Sequence, residues 1–120
     1  MRNSKNKEKV VKRQLSKCAD PVCRTYSPIQ TAYAEMLEKD ESVKEFRCNL
    51  SLPDFPLTDG SYTSDFLITL EDGELVVAEC CRRDYVTRPM HIRLLDASRE
   101  YWLRRGVKPE NWRLIINEEK

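Results

Sequence analysis

Two apolar, β-branched runs on either side of a short polar turn constrain this chain more than any other stretch. The first run covers residues 61–70, the second covers residues 74–81, and Glu71-Asp72-Gly73 lies between them. Apolar runs of this kind, joined by a polar segment that ends in glycine, are typical of an antiparallel β-hairpin. The sequence therefore predicts a hairpin at the centre of the fold.

The length of the turn decides where two acidic side chains of the hairpin lie. A two-residue loop would pair Asp65 with Cys80 and place Asp65 and Glu79 on opposite faces, because strand side chains alternate. A three-residue loop, with Gly73 as the left-handed residue of a G1 bulge, sets Asp65 opposite Glu79 instead. We favour the three-residue loop, which puts both carboxylates on one face with Cβ atoms about 5 Å apart. Such a pair repels unless a cation or a shared proton relieves it.

The length and composition of the sequence predict one globular domain. The chain has 120 residues, of which 40% are hydrophobic and 34% are charged. No apolar run approaches the roughly 20 residues that span a bilayer, and the basic start lacks the apolar middle of a secretory signal. We therefore expect a cytoplasmic protein with a basic arm at residues 1–20, a single domain at residues 21–120 and no association with membranes.

The five cysteines favour free thiols over a disulfide framework. Their number is odd, and Cys80 and Cys81 are adjacent, which suits no simple set of disulfides. Cys18 and Cys23 are spaced CxxxxC, and no second pair follows at the spacing of a zinc finger. The spacing therefore argues against a zinc site and for buried thiols.

Charge is unevenly distributed although the net charge is only +1. Residues 1–17 carry seven Lys and Arg against one Glu, residues 18–80 carry four against thirteen acids, and residues 81–113 carry nine against four. Solvated faces that cancel over the whole molecule explain this pattern. A basic rim around an acidic centre, as in a phosphate-backbone binder with a metal pocket, explains it equally well.

Periodicity and capping signals predict two helices and four strands. Ser27-Pro28 begins the clearest helix, which ends near Asp40 and is expected to bury the stripe formed by Ile29, Ala32, Tyr33, Met36 and Leu37. Residues 8–17 are either a weak amphipathic helix or a disordered tail. The other predicted elements are a strand at 43–50, a loop at 51–60, the hairpin, a helix from about Pro89 to Arg105 and a buried strand at 111–117. A helix that joins two strands of one sheet makes them parallel, so the sheet should be mixed.

This order of elements, with an acid on each hairpin strand, resembles the PD-(D/E)xK nucleases, which have the restriction-endonuclease-like fold. It is most similar to the amino-terminal catalytic domain of the TnsA family of transposon endonucleases, over residues 27–117. The resemblance implies an αβββαβ core, a central mixed sheet flanked by helices. It is carried by residues 27–30, 36–43, 62–67, 72–73 and 76–81.

The resemblance implies four catalytic positions, and two of them depart from the family pattern. Asp65 and Glu79 match the metal-binding acids, and the implied ion is Mg²⁺, with Mn²⁺ as a substitute. Gln30 stands at the position of the helix acid and offers only a neutral oxygen. Cys81 stands at the position of the lysine and supplies no cation. Ser64 stands where the family has proline.

The flanking side chains support several alternatives. By the resemblance, Arg82, Arg83 and Arg88 would contact the phosphates of double-stranded DNA. Asp65 and Glu79 could instead form a buried pair that shares a proton, or Asp65 could bond an arginine of the 82–88 segment. His91 is expected at the surface or as a cap, and both tryptophans are expected in the core.

Three functions follow as hypotheses. The first is a metal-dependent DNA endonuclease that nicks transposon ends. The second, which the changes at Gln30 and Cys81 favour, is a TnsA-like protein of a mobile element that binds DNA in a transposition-type assembly, with catalysis weakened or lost and no ion required. It would act beside a transposase or another mobile-element protein. The third is a small α/β module or inhibitor that binds proteins.

Overall fold

The described part of the chain forms a mixed α/β fold, as predicted. The computed structural model describes residues 10–56 and 62–116. Short 3₁₀ turns lie at Arg83–Tyr85 and Pro109–Asn111. The helices and strands are, in chain order, β1 (Val11–Arg13), β2 (Cys23–Thr25), α1 (Pro28–Lys39), β3 (Val43–Ser51), β4 (Thr63–Leu70), β5 (Leu75–Cys81), α2 (Pro89–Leu103) and β6 (Trp112–Ile116).

The larger sheet has four strands in the order β3-β4-β5-β6. β3, β4 and β5 are antiparallel to their neighbours, whereas β6 runs parallel to β5. The α2 helix connects β5 to β6, and this confirms the predicted mixed sheet. Neither α1 nor α2, which are the helices of the described residues, is long and apolar enough to cross a membrane.

The central hairpin has the predicted three-residue turn. The N–H of Gly73 donates to the carbonyl of Leu70 at 2.9 Å, and Gly73 has a φ of 91°. The N–H of Leu70 donates to the carbonyl of Glu74, and the ladder pairs Phe66 with Ala78 further along. This register places Asp65 across from Glu79. The prediction of the turn is confirmed.

The α1 helix begins as predicted but presents a different face. The hydroxyl of Ser27 accepts a hydrogen bond from the N–H of Gln30 at 3.2 Å, which makes Ser27 the N-cap. The predicted stripe is only partly correct, since Tyr33 and Leu37 are buried but Met36 is 50% exposed and Ala32 is also exposed. The buried stripe consists of Gln30, Tyr33, Ala34 and Leu37. Hydrophobicity alone cannot find this face, because one of its four members is an amide.

The two helices cover opposite faces of the larger sheet. Residues Tyr33 and Leu37 of α1 belong to a core with Phe66 and Ala78. Trp102 of α2 belongs to a second core, whose members include Leu52, Phe55, Val77, Tyr101 and Val107. Phe66 and Leu67 are consecutive in β4 and pack into different cores, as strand alternation requires.

The segment before α1 differs from the prediction. Residues Val11–Arg13 form a strand paired with β2, so the helix, one of the two alternatives for residues 8–17, is wrong within the described residues. The N–H of Phe46 donates to the carbonyl of Lys17 at 2.9 Å, and the N–H of Ala19 donates to the carbonyl of Phe46 at 2.8 Å. The later part of the expected basic arm therefore lies against β3. Residues 1–9, residues 57–60 of the predicted loop, Ser61 of the hairpin and Asn117 of the last strand lie outside the described residues.

Candidate functional site

The candidate site lies where β4 and β5 stop pairing through their backbones. The last backbone pair is Phe66 with Ala78. Beyond it, the N–H of Asp65 donates to Oε1 of Glu79 at 3.0 Å, and the N–H of Cys80 donates to Oδ2 of Asp65 at 2.6 Å. The two carboxylates thus satisfy backbone donors of the opposite strand, which buried N–H groups require.

The expectation that both carboxylates lie on one face is wrong. Oδ1 of Asp65 accepts a bond from Gln30 of α1, whereas Oε2 of Glu79 accepts a bond from Ser98 of α2. The cause is a change of face within β4, where Ser64 bonds Trp102 of α2 although the residue two positions later belongs to the α1 core. A regular strand would keep both residues on one side of the sheet.

The neighbouring strand β3 changes face at the same level. Cys48 belongs to the α1 core, but Leu50 packs against the α2 core. Asn49 between them has a φ of 55°, a left-handed conformation that is uncommon outside glycine and is tolerated best by Asn and Asp. The ladder pairs Cys48 with Phe66 and Leu50 with Ser64, with no registered pair at Asn49. The register of the hairpin was therefore predictable, but the face of Asp65 was not.

Glu79 is the centre of a buried polar network. Glu79 is only 2% exposed to solvent. The hydroxyls of Ser64 and Ser98 donate to its Oε2 at 2.7 and 2.5 Å. The indole N–H of Trp102 donates to Ser64 at 2.9 Å, and that of Trp112 donates to Ser98 at 3.1 Å. The network joins β4, β5, α2 and β6 through one carboxylate.

The sequence analysis missed the hydrogen bonds of Ser64 and Ser98 to Glu79 and the polar role of the tryptophans. Trp102 is in the core as predicted, and Trp112 is half-buried. Ser98 carried a signal, because it is a small polar residue in the middle of the apolar stripe of α2. A buried hydroxyl requires a hydrogen-bonding partner, and a buried carboxylate of the adjacent strand supplies it.

Both acids of the site are harder to ionise than usual. Burial, and then the charge of Asp65, raise the pKa of Glu79 to about 7, although Ser64, Ser98 and the N–H of Asp65 oppose the shift. Burial also raises the pKa of Asp65, against the bonds from Cys80 and Gln30. Desolvation of a carboxylate disfavours its charged form. The arrangement therefore permits Glu79 to hold a proton near neutral pH.

Gln30 acts at the site as a hydrogen-bond donor and not as a metal ligand. Its Nε2 donates to Oδ1 of Asp65 at 2.6 Å and to Oδ1 of Asn49 at 2.9 Å. Its Oε1 accepts the N–H of Tyr26 at 2.9 Å. The amide oxygen expected to face a cation is thus bonded to the chain before α1, and the amide presents N–H to the carboxylate.

Cys81 is also unsuited to the role of the lysine. It is 3% exposed, and its thiol donates to the carbonyl of Arg82 at 3.3 Å. Burial is the first cause that raises the pKa of this thiol, so the side chain is neutral at physiological pH. Neither a cation nor a thiolate is available at this position.

The arrangement does not fit a hydrated Mg²⁺ ion. Each of the four carboxylate oxygens of Asp65 and Glu79 accepts a hydrogen bond from the protein. Mg²⁺ in proteins keeps several waters and binds through one or two carboxylates, but the burial of Glu79 leaves little room for a hydrated ion.

The predicted arginines lie in an exposed segment at the end of β5. Arg82, Arg83 and Arg88 are all exposed. Arg82 forms an ion pair with Asp84 at 3.0 Å, and the guanidinium of Arg88 lies 4.0 Å from the centre of the Tyr85 ring. The ring of His91 lies 5.3 Å from that of Tyr85. The segment presents cations to solvent beside the site.

A second cluster of reactive side chains lies on the α1 side of the sheet. The sulfur atoms of Cys23 and Cys48 are 3.4 Å apart, and those of Cys18 and Cys48 are 3.9 Å apart. All three residues are buried, as the sequence predicted for its thiols. Burial raises the pKa of Cys23 to about 11. The spacing of Cys18 and Cys23 gave no sign of this cluster, because its third member comes from β3.

Comparisons with known proteins assign no family to this chain. No protein-family model matches it, and a search of curated proteins finds no match.

Proposed function

We propose that this protein is a nuclease-fold protein of a mobile DNA element, similar to the TnsA family, that binds double-stranded DNA and has weak or no hydrolytic activity. The observation that carries the proposal is the state of Glu79. Glu79 is only 2% exposed to solvent, and its carboxylate oxygens accept hydrogen bonds from Ser64, Ser98 and the N–H of Asp65.

The order of the elements supports the nuclease ancestry. The described chain runs α1, β3, β4, β5, α2, β6, and it carries Asp65 on β4 and Glu79 across from it on β5. Gln30 of α1 reaches Asp65, as the helix acid of the family would. Gln30 bonds the carboxylate of Asp65, and the N–H of Asp65 bonds Glu79. One of these three positions is an amide, however, and the two carboxylates are directed to opposite faces of the sheet.

The charge and exposure of the 82–93 segment support DNA binding. Four arginines and one aspartate fall in these residues, and Arg83 and Arg88 are exposed. Arginine contacts to phosphate supply the sequence-independent part of DNA affinity and make that affinity fall steeply with salt. The segment follows β5 directly, so a duplex held there would lie beside Glu79 and Asp65.

A plasmid assay separates a binding protein from an endonuclease. Supercoiled plasmid is incubated with the purified protein in Mg²⁺ or Mn²⁺, and Asp65→Ala serves as the control. We expect little or no nicking above the Asp65→Ala background. Efficient nicking that the wild-type protein performs and Asp65→Ala does not would replace the proposal with an active endonuclease.

A binding assay tests the arginine segment itself. Fluorescence anisotropy of a labelled duplex is measured at several salt concentrations for the wild type, for Arg83→Ala/Arg88→Ala and for Arg47→Ala, an exposed arginine of β3. The double variant should bind more weakly at every salt concentration and lose up to about two units of salt slope. Arg47→Ala should bind like the wild type. Failure of the wild type to bind even at low salt would favour a protein-interaction module.

A further inference from the structure

The three buried thiols on the α1 side of the sheet come from three separate parts of the chain. Cys18 lies in the loop between β1 and β2, Cys23 begins β2, and Cys48 lies in β3. Their sulfur atoms all lie within 4.8 Å of one another. In the described residues this is the only group of three Cys, His, Asp or Glu side chains that meets so closely.

We propose that Cys18, Cys23 and Cys48 bind a zinc ion, which attaches the amino-terminal hairpin to the edge of the larger sheet. Zinc accepts three thiolates readily and takes a water or another protein ligand as its fourth. Each zinc–sulfur bond replaces a sulfur–hydrogen bond, and the protons leave to solvent. The inference does not depend on DNA binding, because it rests on a different set of residues.

The distances suit zinc. Two sulfurs of a tetrahedral site with zinc–sulfur bonds of about 2.3 Å lie about 3.8 Å apart. The separations of 3.4 Å for Cys23 and Cys48 and 3.9 Å for Cys18 and Cys48 bracket this value, and the sulfurs of Cys18 and Cys23 lie within 4.8 Å of each other. The ion would need only small side-chain adjustments. A disulfide would require a sulfur–sulfur bond of about 2.0 Å and would leave the third thiol alone.

The cluster borders an open cleft. Cys48 lines an open cleft of about 430 Å³, together with Asp20, Arg24, Tyr26 and Asn49. Asp20 adds a negative charge near the thiols, and its Oδ2 accepts the N–H of Cys48 at 3.5 Å. A softer metal than Mg²⁺ is indicated by the sulfur ligands, because thiolates select zinc and similar ions.

The anchoring role follows from what else holds the segment. Outside the pairing of β1 with β2, the hairpin is held by hydrogen bonds and one ion pair. Lys17 and Ala19 bond Phe46 through their backbones, and the carbonyl of Arg24 accepts from Asn49. The N–H groups of Ser16 and Lys17 donate to Glu38, and Arg13 pairs with Glu35. Strands of three residues are too short to be stable alone. A metal that links Cys18 and Cys23 to Cys48 would restrict this segment, as structural zinc does in small domains.

The test measures the metal directly. The protein is purified without chelator, and its zinc content is measured by inductively coupled plasma mass spectrometry and by native mass spectrometry. We expect about one zinc per chain. Titration of the metal-free protein with Co²⁺ should give the sulfur-to-metal charge-transfer absorption of a thiolate site, and zinc should remove it.

Variants identify the ligands. Cys48→Ser and Cys23→Ser should lose at least nine-tenths of the bound zinc, whereas Cys81→Ser, a buried cysteine outside the cluster, should retain it. Circular dichroism establishes that each variant is folded. Wild-type protein that binds neither zinc nor Co²⁺, equal loss of zinc in Cys81→Ser, or a non-reduced mass lighter by two hydrogens through a disulfide would each overturn the proposal.

Discussion

Glu79 illustrates how the surroundings of one side chain change its chemistry. A metal ligand needs a lone pair directed into space that the ion and its waters can enter. The oxygens of Glu79 are directed instead at two hydroxyls and one backbone N–H. To bind an ion, Glu79 would have to give up these three hydrogen-bond donors. The same donors make the burial of its carboxylate tolerable.

The raised pKa of Glu79 predicts how stability depends on pH. The pKa rises from 4.5 to about 7 on folding, so the folded state retains a proton that the unfolded chain releases. The free energy of unfolding should therefore fall as pH rises through this window, by about 3 kcal/mol at most. Burial raises the pKa of Asp65 as well, which acts in the same direction.

Urea unfolding at a series of pH values checks this dependence. Glu79→Gln removes one titrating group and should flatten the fall between pH about 5 and 7. Glu45→Gln, at an exposed position of β3, should leave the wild-type profile unchanged. If stability falls as steeply with pH in Glu79→Gln as in the wild type, the pH dependence comes from titrating groups other than Glu79.

Gln30 offers a second test at the scale of single residues. Gln30→Glu places a negative charge against Asp65 and removes the N–H donor now 2.6 Å from it. We expect the variant to lose about 2 kcal/mol of unfolding free energy in chelator. Equal unfolding curves in chelator for the variant and the wild type would contradict the expected repulsion.

At the scale of elements, the change of face in β3 and β4 positions the site. Asn49 turns β3 with a φ of 55°, and its side chain holds the turn from both sides. Its Nδ2 donates to the carbonyl of Arg24 at 2.8 Å, and its Oδ1 accepts from Gln30. The same residue therefore links β2, β3 and α1, and so directs Gln30 toward Asp65.

Replacement of Asn49 should lower the free energy of unfolding by more than its left-handed backbone conformation alone explains. Asn49→Ala loses two side-chain hydrogen bonds and keeps the left-handed backbone, so we expect a loss of about 2–3 kcal/mol. Asp54→Ala is the matched control, because Asp54 is exposed and has a φ of 61°. It should lose about 1 kcal/mol or less. Similar losses in the two variants would mean that the bonds of Asn49 contribute little. Thermal and urea unfolding measure both.

The elements that were predictable are those whose signals are local. Gly73 and the two apolar runs determine the hairpin and its register, and Ser27-Pro28 determines the start of α1. The face of α1 was not predictable, because Gln30 is buried for its partners Asp65 and Tyr26 and not for its hydrophobicity. The strands β1 and β2 were missed because strands of three residues leave almost no periodicity to detect.

At the scale of the whole molecule, the candidate site depends on contacts between distant parts of the chain. Sequence comparison along a family pattern found Asp65 and Glu79, but their partners come from α1 and α2 on opposite faces of the sheet. Ser98 follows Glu79 by 19 residues, and Gln30 precedes Asp65 by 35. The cysteine cluster was missed for the same reason, because Cys48 is 25 residues from Cys23. No local spacing records such contacts.

The buried network should make tryptophan fluorescence report the charge of Glu79. The chain contains two tryptophans, and each indole N–H donates to a serine that donates to this carboxylate. A charge that forms in a low-dielectric interior acts strongly on nearby dipoles. The emission should therefore change with an apparent pKa near 7, because burial raises the pKa of Glu79 to about 7.

Three variants make this titration specific. Glu79→Gln should abolish the change in emission, and Ser98→Ala should reduce the part that comes from Trp112 while the part from Trp102 remains. His91→Gln, which removes the single histidine, should leave the titration intact. This control is required because imidazoles change charge in the same range of pH. If His91→Gln abolishes the change and Glu79→Gln does not, the tryptophans sense the surface beside Tyr85 and the network does not transmit the charge of the buried acid.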